Sequence, residues 1–328
     1  MDLKKLVRVE AERIDRLIRE DISEIVAVCD PLLVEILEYA LLGGGKRIRP
    51  LLTIMGGRIG GRNDRNLYRL AAAFEYLHVA TLLHDDVIDQ SETRRGKTSV
   101  FKKFGVVGAI LAGDYLHAFS MRIVGMIGGE PGLSRFTEAT RGMVDGEFIQ
   151  LRNRLHYNQS EEDYFSVIMG KTALLISAAC EVGGIYSGLS PDCLKALKTY
   201  GLKLGCAFQI VDDLLDYQGD TVKTGKETGN DLVEGKMTLP LIYAMQRADK
   251  KDSARLLAIM KEEQTRGQFF QEVVTLITRY DGFDQARHQA QMMVRDAVAV
   301  LEPLAHKENR ASIEFLQVLA EYILQRQR

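Results

Sequence analysis

Two short stretches of this chain put carboxylates where a folded protein seldom leaves them. Leu82-Leu83-His84-Asp85-Asp86-Val87-Ile88-Asp89 closes an apolar run with three aspartates, and Phe208-Gln209-Ile210-Val211-Asp212-Asp213-Leu214-Leu215-Asp216 repeats the pattern. On a helix, Asp85 and Asp89 lie one turn apart on a shared face, and Asp216 lies one turn from Asp212 and Asp213. Unpaired carboxylates among Leu, Ile and Val are costly, and a divalent cation removes that cost. Magnesium takes a few carboxylates plus phosphate oxygens and water, so the pattern predicts a phosphate-bearing substrate. One such motif alone reads equally well as the charged side of a surface helix. Two, each set in an apolar helix, do not, and helix bundles build metal sites from carboxylates on facing helices.

The matching cations are nearby in sequence. Gly43-Gly44-Gly45-Lys46-Arg47-Ile48-Arg49-Pro50 joins a glycine turn to three positive charges, and glycine lets backbone approach an anion closely. Its plain alternative is a helix-ending loop with solvated cations. Arg94-Arg95-Gly96-Lys97 follows the first acidic cluster within a few residues, against the alternative of a charged loop. His78 precedes Asp85 by two helical turns on the same face, ~10 Å along the axis, which suits a second diphosphate beside the first. A lone histidine is more often a core or surface residue; the alignment with Asp85 and Asp89 favours function. Lys171-Thr172 opens an apolar helix and reads as a phosphate contact or a simple helix start. The segment 217–240, with Lys223, Lys226 and Lys236 among its glycines, reads as a lid over phosphates in preference to a surface loop.

The elements that carry these groups are helical. Apolar residues recur at helical spacing, as in Leu3, Leu6, Val7, Ile14, Leu17 and again in Leu32, Leu33, Ile36, Leu37, Ala40. Asp30-Pro31 and Ser190-Pro191 place a capping side chain before a proline suited to the first turn, and Ser160 with Asp163 resembles a capping box. Glycines at 43–45, 56–61, 125–132 and 219–235 mark helix ends and loops. No β-type alternation, internal repeat or linker divides the sequence. The expected fold is therefore all-α: one large bundle, a single domain over 1–328.

With 328 residues, 46% of them hydrophobic, the chain has ample material for a core. Forty-three basic against 45 acidic residues leave a net charge of -2, so no global field attracts nucleic acid. Cys29, Cys180, Cys193 and Cys206 form no CxxC pair and read as buried thiols of a reducing compartment. The charged N-terminus is no secretory signal, and the longest uncharged apolar stretches fall short of the ~18 residues of a membrane span. A cytoplasmic protein is expected, with at most transient membrane contact to unload a greasy product.

Taken together, GGGKRIRP, LLHDDVIDQSETRRGK, Lys171-Thr172, FQIVDDLLDY and GKMTLPL resemble the trans-type polyprenyl diphosphate synthases, in that family's order and spacing across nearly the whole chain. The likeness is greatest to the bacterial long-chain, octaprenyl-type group. Short-chain bacterial relatives resemble one another in a longer insert within the first motif, which is missing here. The resemblance implies a homodimer of all-α subunits, each with a central cavity. It implies two magnesium ions at Asp85 and Asp89 and a third at Asp212 to Asp216, with Asp86 and Asp213 completing the catalytic clusters. Lys46, Arg49, His78 and Arg95 would hold isopentenyl diphosphate. Arg94, Lys171, Thr172, Gln209, Lys226 and Lys236 would contact the allylic diphosphate, with farnesyl diphosphate as the expected primer and Lys171 counted among the catalytic groups.

The chemistry implied is ionisation of the allylic diphosphate, attack by the isopentenyl double bond and loss of a proton to the released diphosphate, in an apolar cavity that excludes water. The product would be a long all-trans polyprenyl diphosphate, a precursor of quinone side chains. Ala80 and Thr81, five and four residues before Asp85, are small where short-chain relatives carry aromatic floors. Phe74, Leu77, Met121 and Ile123 are candidates for a deeper floor. Three alternatives remain: a short-chain farnesyl or geranylgeranyl synthase, a terpene cyclase and a non-catalytic partner subunit. A cyclase needs no isopentenyl site, and a silent subunit would have lost one acidic cluster.

Overall fold

A computed structural model describes residues 3–219 and 228–326. Among them, helices account for nearly all regular structure: α1 (Leu3–Val26), α2 (Pro31–Leu41), α3 (Ile48–Ile59), α4 (Arg65–Ile88), α5 (Val100–His156), α6 (Glu161–Ile168), α7 (Leu174–Tyr186) and α8 (Pro191–Gln218). A short α9 (Asn230–Glu234) follows, then α10 (Leu239–Arg247), α11 (Lys250–Lys261), α12 (Phe270–Arg279), α13 (Gly282–Ala299) and α14 (Arg310–Leu324). The all-α expectation holds. A two-residue ribbon, β1 (Thr93–Arg94) against β2 (Lys97–Thr98), was not anticipated. The chain forms two compact units: Met1–Glu138 with Ala178–Leu197 and Ala305–Leu316, and Ala139–Ser177 with Lys198–Leu304 and Gln317–Arg328.

In the first unit, α1 buries Ile14, Ile18, Ile22 and Ile25, a stripe displaced toward the helix C-terminus from the one its leucines suggest. Each such side chain contributes about 1.5–3 kcal/mol of burial. The same helix also sinks acids into the unit. Glu10 accepts from Arg58 Nη2 and the Tyr68 hydroxyl, each at 2.8 Å, and Asp21 accepts from the Tyr76 hydroxyl at 2.6 Å. Asp30 caps α2 by accepting from the Leu32 N–H at 2.8 Å, with Pro31 in the first turn, as its sequence predicts. Leu32, expected on the buried stripe of α2, is 56% exposed, whereas Val34 and Leu41 are buried.

Gly56 and Gly57, read as a helix end, lie inside α3 and are buried. The reason is a backbone contact with α7. A Cβ on Gly56 would stand 2.3 Å from the Cys180 carbonyl oxygen, and one on Gly183 would stand 2.1 Å from that of Thr53. Only hydrogen fits there. Gly129, in the glycine cluster at 125–132, adopts φ 65°, ψ −167° and breaks α5, with Pro131 restarting the helix two residues later.

In the second unit, Ser160 caps α6 by accepting from the Asp163 N–H at 3.2 Å. The reciprocal half of the capping box is not made: the Ser160 N–H donates to Asn158 Oδ1 at 2.9 Å, and the Asp163 carboxylate accepts from Asn158 Nδ2. Between α6 and α7, residues Met169–Ala173 wind as a π-helix, so Lys171-Thr172 sits in a bulge rather than opening a helix. The wider turn places Gly170 against Gly142 and Gly146 of α5; a Cβ on Gly170 would be 2.6 Å from the Gly142 carbonyl oxygen. Bulges of this kind concentrate at functional sites.

Two helical stretches, Val100–Asn153 and Glu161–Tyr186, are long and apolar enough by composition to cross a membrane. Neither is an uncharged run, which is why a strict reading passes over them. The second is mostly buried inside the protein, as a core helix is, whereas α5 leaves Val106, Val107, Leu111 and Met126 exposed.

Candidate active site

The first acidic cluster closes α4 in the first unit. Asp85 is half-buried in the last turn, Asp86 is 2% exposed, and Asp89 caps the helix by donating its N–H to the Asp85 carbonyl at 2.8 Å. The three aspartates therefore divide. Arg94 of β1 donates Nε at 2.9 Å, together with Nη2, to Asp86 Oδ1, so this carboxylate anchors the ribbon. The tip of the ribbon has Arg95 at φ 51° and Gly96 at φ 74°, the signs of a type I′ turn. Glycine takes that geometry freely, and Arg95 does so at a cost of about 1–2 kcal/mol.

What holds Arg95 is the glycine loop. Its Nη1 donates to the Gly44 carbonyl, and a Cβ on Gly45 would stand 2.7 Å from that nitrogen. The triple glycine thus makes room for a guanidinium, and Arg95 joins the cations of the 46–49 loop. Lys46 is exposed. Arg49 is half-buried; its Nε is shielded from solvent and has no protein partner, a donor oriented to nothing the chain supplies. Burial and the Arg95 charge lower the Arg49 pKa, opposed by Glu75. Burial, with Arg49, Arg95, Arg94 and Arg47, also holds the His78 imidazole well below its usual range, so His78 is neutral at pH 7. Asp86, Arg94 and Arg95 line a cleft of about 490 Å³ whose apolar wall includes Val79, Leu82 and Leu83. Ala80 is buried, and the Thr81 hydroxyl donates back to the His78 carbonyl at 2.8 Å. Phe74, Leu77 and Ile123 are buried, Phe74 edge-on to Phe136 with centroids 5.2 Å apart, and Met121 is half-buried.

The second cluster lies on α8 in the second unit, beside a cleft of about 680 Å³ lined by Lys171, Gln209, Asp213, Asp231 and Lys236. Lys171 Nζ reaches Glu147 Oε2 at 3.0 Å and Gln150 Oε1 at 3.4 Å. A chain of neutral donors follows. The Thr172 hydroxyl donates to Gln209 Oε1 at 3.1 Å, and the Tyr164 hydroxyl donates to Asp213 Oδ2 at 2.7 Å; Gln209 Nε2 lies 3.4 Å from Asp213 Oδ1. Burial and the charges of Asp231 and Asp212 push the Asp213 carboxyl well above the usual range. Asp216 accepts the Asp231 N–H at 2.9 Å, and Lys236 pairs with Asp231 at 3.0 Å and Glu234 at 2.7 Å. Arg326 of the C-terminal segment lies 3.5 Å from Asp212. Lys223 and Lys226 fall outside the described residues.

Each unit thus gathers one acidic cluster with cations beside it, and Arg94, grouped by the resemblance with Lys171, pairs with the first cluster. Sequence reasoning missed Glu75, Glu147, Gln150, Tyr164, Asp231 and Arg326. Glu147 and Gln150 carried a weak signal, a polar i, i+3 pair joined by a 2.8 Å hydrogen bond from Gln150 Nε2 to Glu147 Oε1. Among the described residues, no three of His, Cys, Asp and Glu gather into a protein-only metal site. Magnesium fits the clusters as they stand, because it takes one or two carboxylates and completes its shell with phosphate oxygens and water.

The polyprenyl synthetase family profile matches residues 30–277. Octaprenyl diphosphate synthase of Haemophilus influenzae is 34% identical over 98% of this chain and 97% of its own. A short chain isoprenyl diphosphate synthase of Methanothermobacter thermautotrophicus is also 34% identical, over 100% and 99%. The crystal structure of a decaprenyl diphosphate synthase from Rhodobacter capsulatus superposes with a TM-score of 0.90 at 34% identity, covering 99% of this chain and 98% of that one. With this much of its length matched and both acidic clusters in place, the chain belongs to the polyprenyl synthetase family.

Proposed function

We propose that this chain is a magnesium-dependent trans-polyprenyl diphosphate synthase that adds isopentenyl diphosphate head-to-tail to an allylic primer such as farnesyl diphosphate. The observation that carries the reading is the pair of acidic clusters, each with its own cation set. Asp85 and Asp89, and Asp212 and Asp216, would hold magnesium, which when bound would supply Lewis-acid stabilisation of charge on the departing diphosphate. Lys46, Arg49 and Arg95 bind the isopentenyl diphosphate, with Arg49 Nε gaining an acceptor and neutral His78 a hydrogen bond. Lys171 and Lys236 exchange carboxylate partners for allylic diphosphate oxygens, joined by Arg94, Lys226, Thr172 and Gln209. The apolar side chains around Ala80 keep water from the carbocation.

Relatives of equal identity make short and long products, so product length rests on this chain's own residues. Small Ala80 and Thr81 support a product beyond about twenty carbons, in the range of about thirty to fifty. A quinone side-chain precursor fits that length. The exposed apolar face of α5 supports a homodimer, and four free cysteines suit a reducing cytoplasm. The test is incubation with farnesyl diphosphate, labelled isopentenyl diphosphate and magnesium, with products sized by mass spectrometry. Long chains are expected from the wild type and shorter ones from a folded Ala80→Tyr. A wild type that stops at about fifteen carbons overturns the long-chain reading.

A further inference from the structure

The three cations of the glycine loop are not equivalent. Lys46 is exposed and Arg49 half-buried, but Arg47 is 2% exposed and holds a left-handed backbone, φ 49°, that a branched or long side chain rarely takes. Three acceptors on three elements fix it there. Its Nε donates to Asp15 Oδ1 of α1 at 2.9 Å, its Nη1 to Glu75 Oε1 of α4 at 2.6 Å, and its Nη2 to the Leu41 carbonyl at the end of α2 at 2.7 Å. A guanidinium has a planar fork of donors suited to this task, and a lysine does not.

Glu75 is the other half of the arrangement. It is 2% exposed and stands one turn before His78 on α4. Its charge acts on Arg47, Arg49 and Arg95 alike. A buried carboxylate in reach of several guanidiniums binds whichever it can, and those it binds are lost to a ligand. With Asp15 and Glu75 set against Lys46, Arg47, Arg49 and Arg95, the group retains two positive charges, which favour an anionic ligand.

We propose that Arg47 is a positioning residue which, gripped by Asp15, occupies Glu75 and so leaves Arg49 and Arg95 to the incoming diphosphate. α1, which contributes no predicted ligand, is thereby part of the support of the site. The inference rests on the reading that this loop binds isopentenyl diphosphate.

A double-mutant cycle on the full-length enzyme tests it. Arg47→Met should raise the KM for isopentenyl diphosphate about tenfold and move the allylic KM and kcat by less than about twofold. Adding Glu75→Gln should return that KM to within about threefold of wild type, because no buried charge then competes for Arg49 and Arg95. A merely structural Arg47 gives the opposite: additive losses, both KM values shifted alike, and a lowered melting temperature as the only common thread. Should Arg47→Met not fold, Asp15→Asn loosens the grip from a half-exposed position and should raise the same KM about threefold; a wild-type value overturns the proposal. Arg49→Ala, measured alongside, separates the two readings. An unchanged isopentenyl KM there overturns the site assignment itself, whereas a raised KM beside an unaltered Arg47→Met overturns the positioning role alone.

Discussion

The two acidic clusters share a sequence pattern and differ in how their middle aspartate is held. Asp86 is paired to a full charge, Arg94. Asp213 takes the neutral Tyr164 hydroxyl, lies beside the Gln209 amide, and has Asp212 and Asp231 as charged neighbours. The first cluster is embedded among arginines; the second is a concentration of negative charge whose lysines are already engaged by Glu147, Asp231 and Glu234. The same motif therefore serves two electrostatic settings.

The largest test of that contrast removes an expected metal ligand from each side. Asp85→Ala and Asp212→Ala should each lower turnover at least a hundredfold, ~3 kcal/mol of barrier, and EDTA should abolish it. Near-normal turnover in either would break the symmetry of the metal role. A smaller effect sharpens the division of substrates: Arg49→Ala and His78→Ala should raise the KM for isopentenyl diphosphate about tenfold, with the allylic KM little changed. Equal shifts on both substrates would erase the distinction.

Stability in EDTA probes the middle aspartates themselves. Asp86→Asn breaks a charge-assisted pair and should cost about 1–3 kcal/mol, read by thermal melting. Asp213→Asn should cost less than about 1 kcal/mol, because burial and the neighbouring carboxylates already disfavour its charged form and an amide oxygen accepts from the Tyr164 hydroxyl as the carboxyl does. The reverse ranking would sink the comparison. The smallest effect is a pH dependence. Burial and four arginines depress the His78 pKa, so the unfolded chain binds the extra proton first as pH falls below 6.5. Wild type should lose stability there relative to His78→Gln, and the two should run parallel above that pH.

Much of this was legible because carboxylate spacing, capping side chains and prolines act locally. Asp85, Asp212, Asp30 and Ser160 sit where their neighbours in sequence put them. The unreadable parts depend on distant partners. Nothing around Arg47 distinguishes it from Lys46 or Arg49; only Asp15 and Glu75, 32 and 28 residues away, make it a buried anchor. The π-helical turn at Lys171 likewise answers to Gly142 and Gly146 on another helix. The Arg95-Gly96 turn was written in the sequence as a residue-glycine pair, but its two-residue strands are too short to announce themselves.

The crossing of Gly56 and Gly183 has a mechanical meaning. Side chains between helices act as shims, since rotamers shift and thickness adjusts by fractions of an ångström. At this crossing backbone rests on backbone, and no adjustable layer remains. It serves as a datum face, the surface from which a machinist measures the others. Arg49 stands two helical turns from Gly56 on α3, ~10 Å up a nearly rigid rod. The height of the 46–49 loop is thus referenced to the hardest contact in its surroundings, and drift elsewhere in the core leaves that dimension alone.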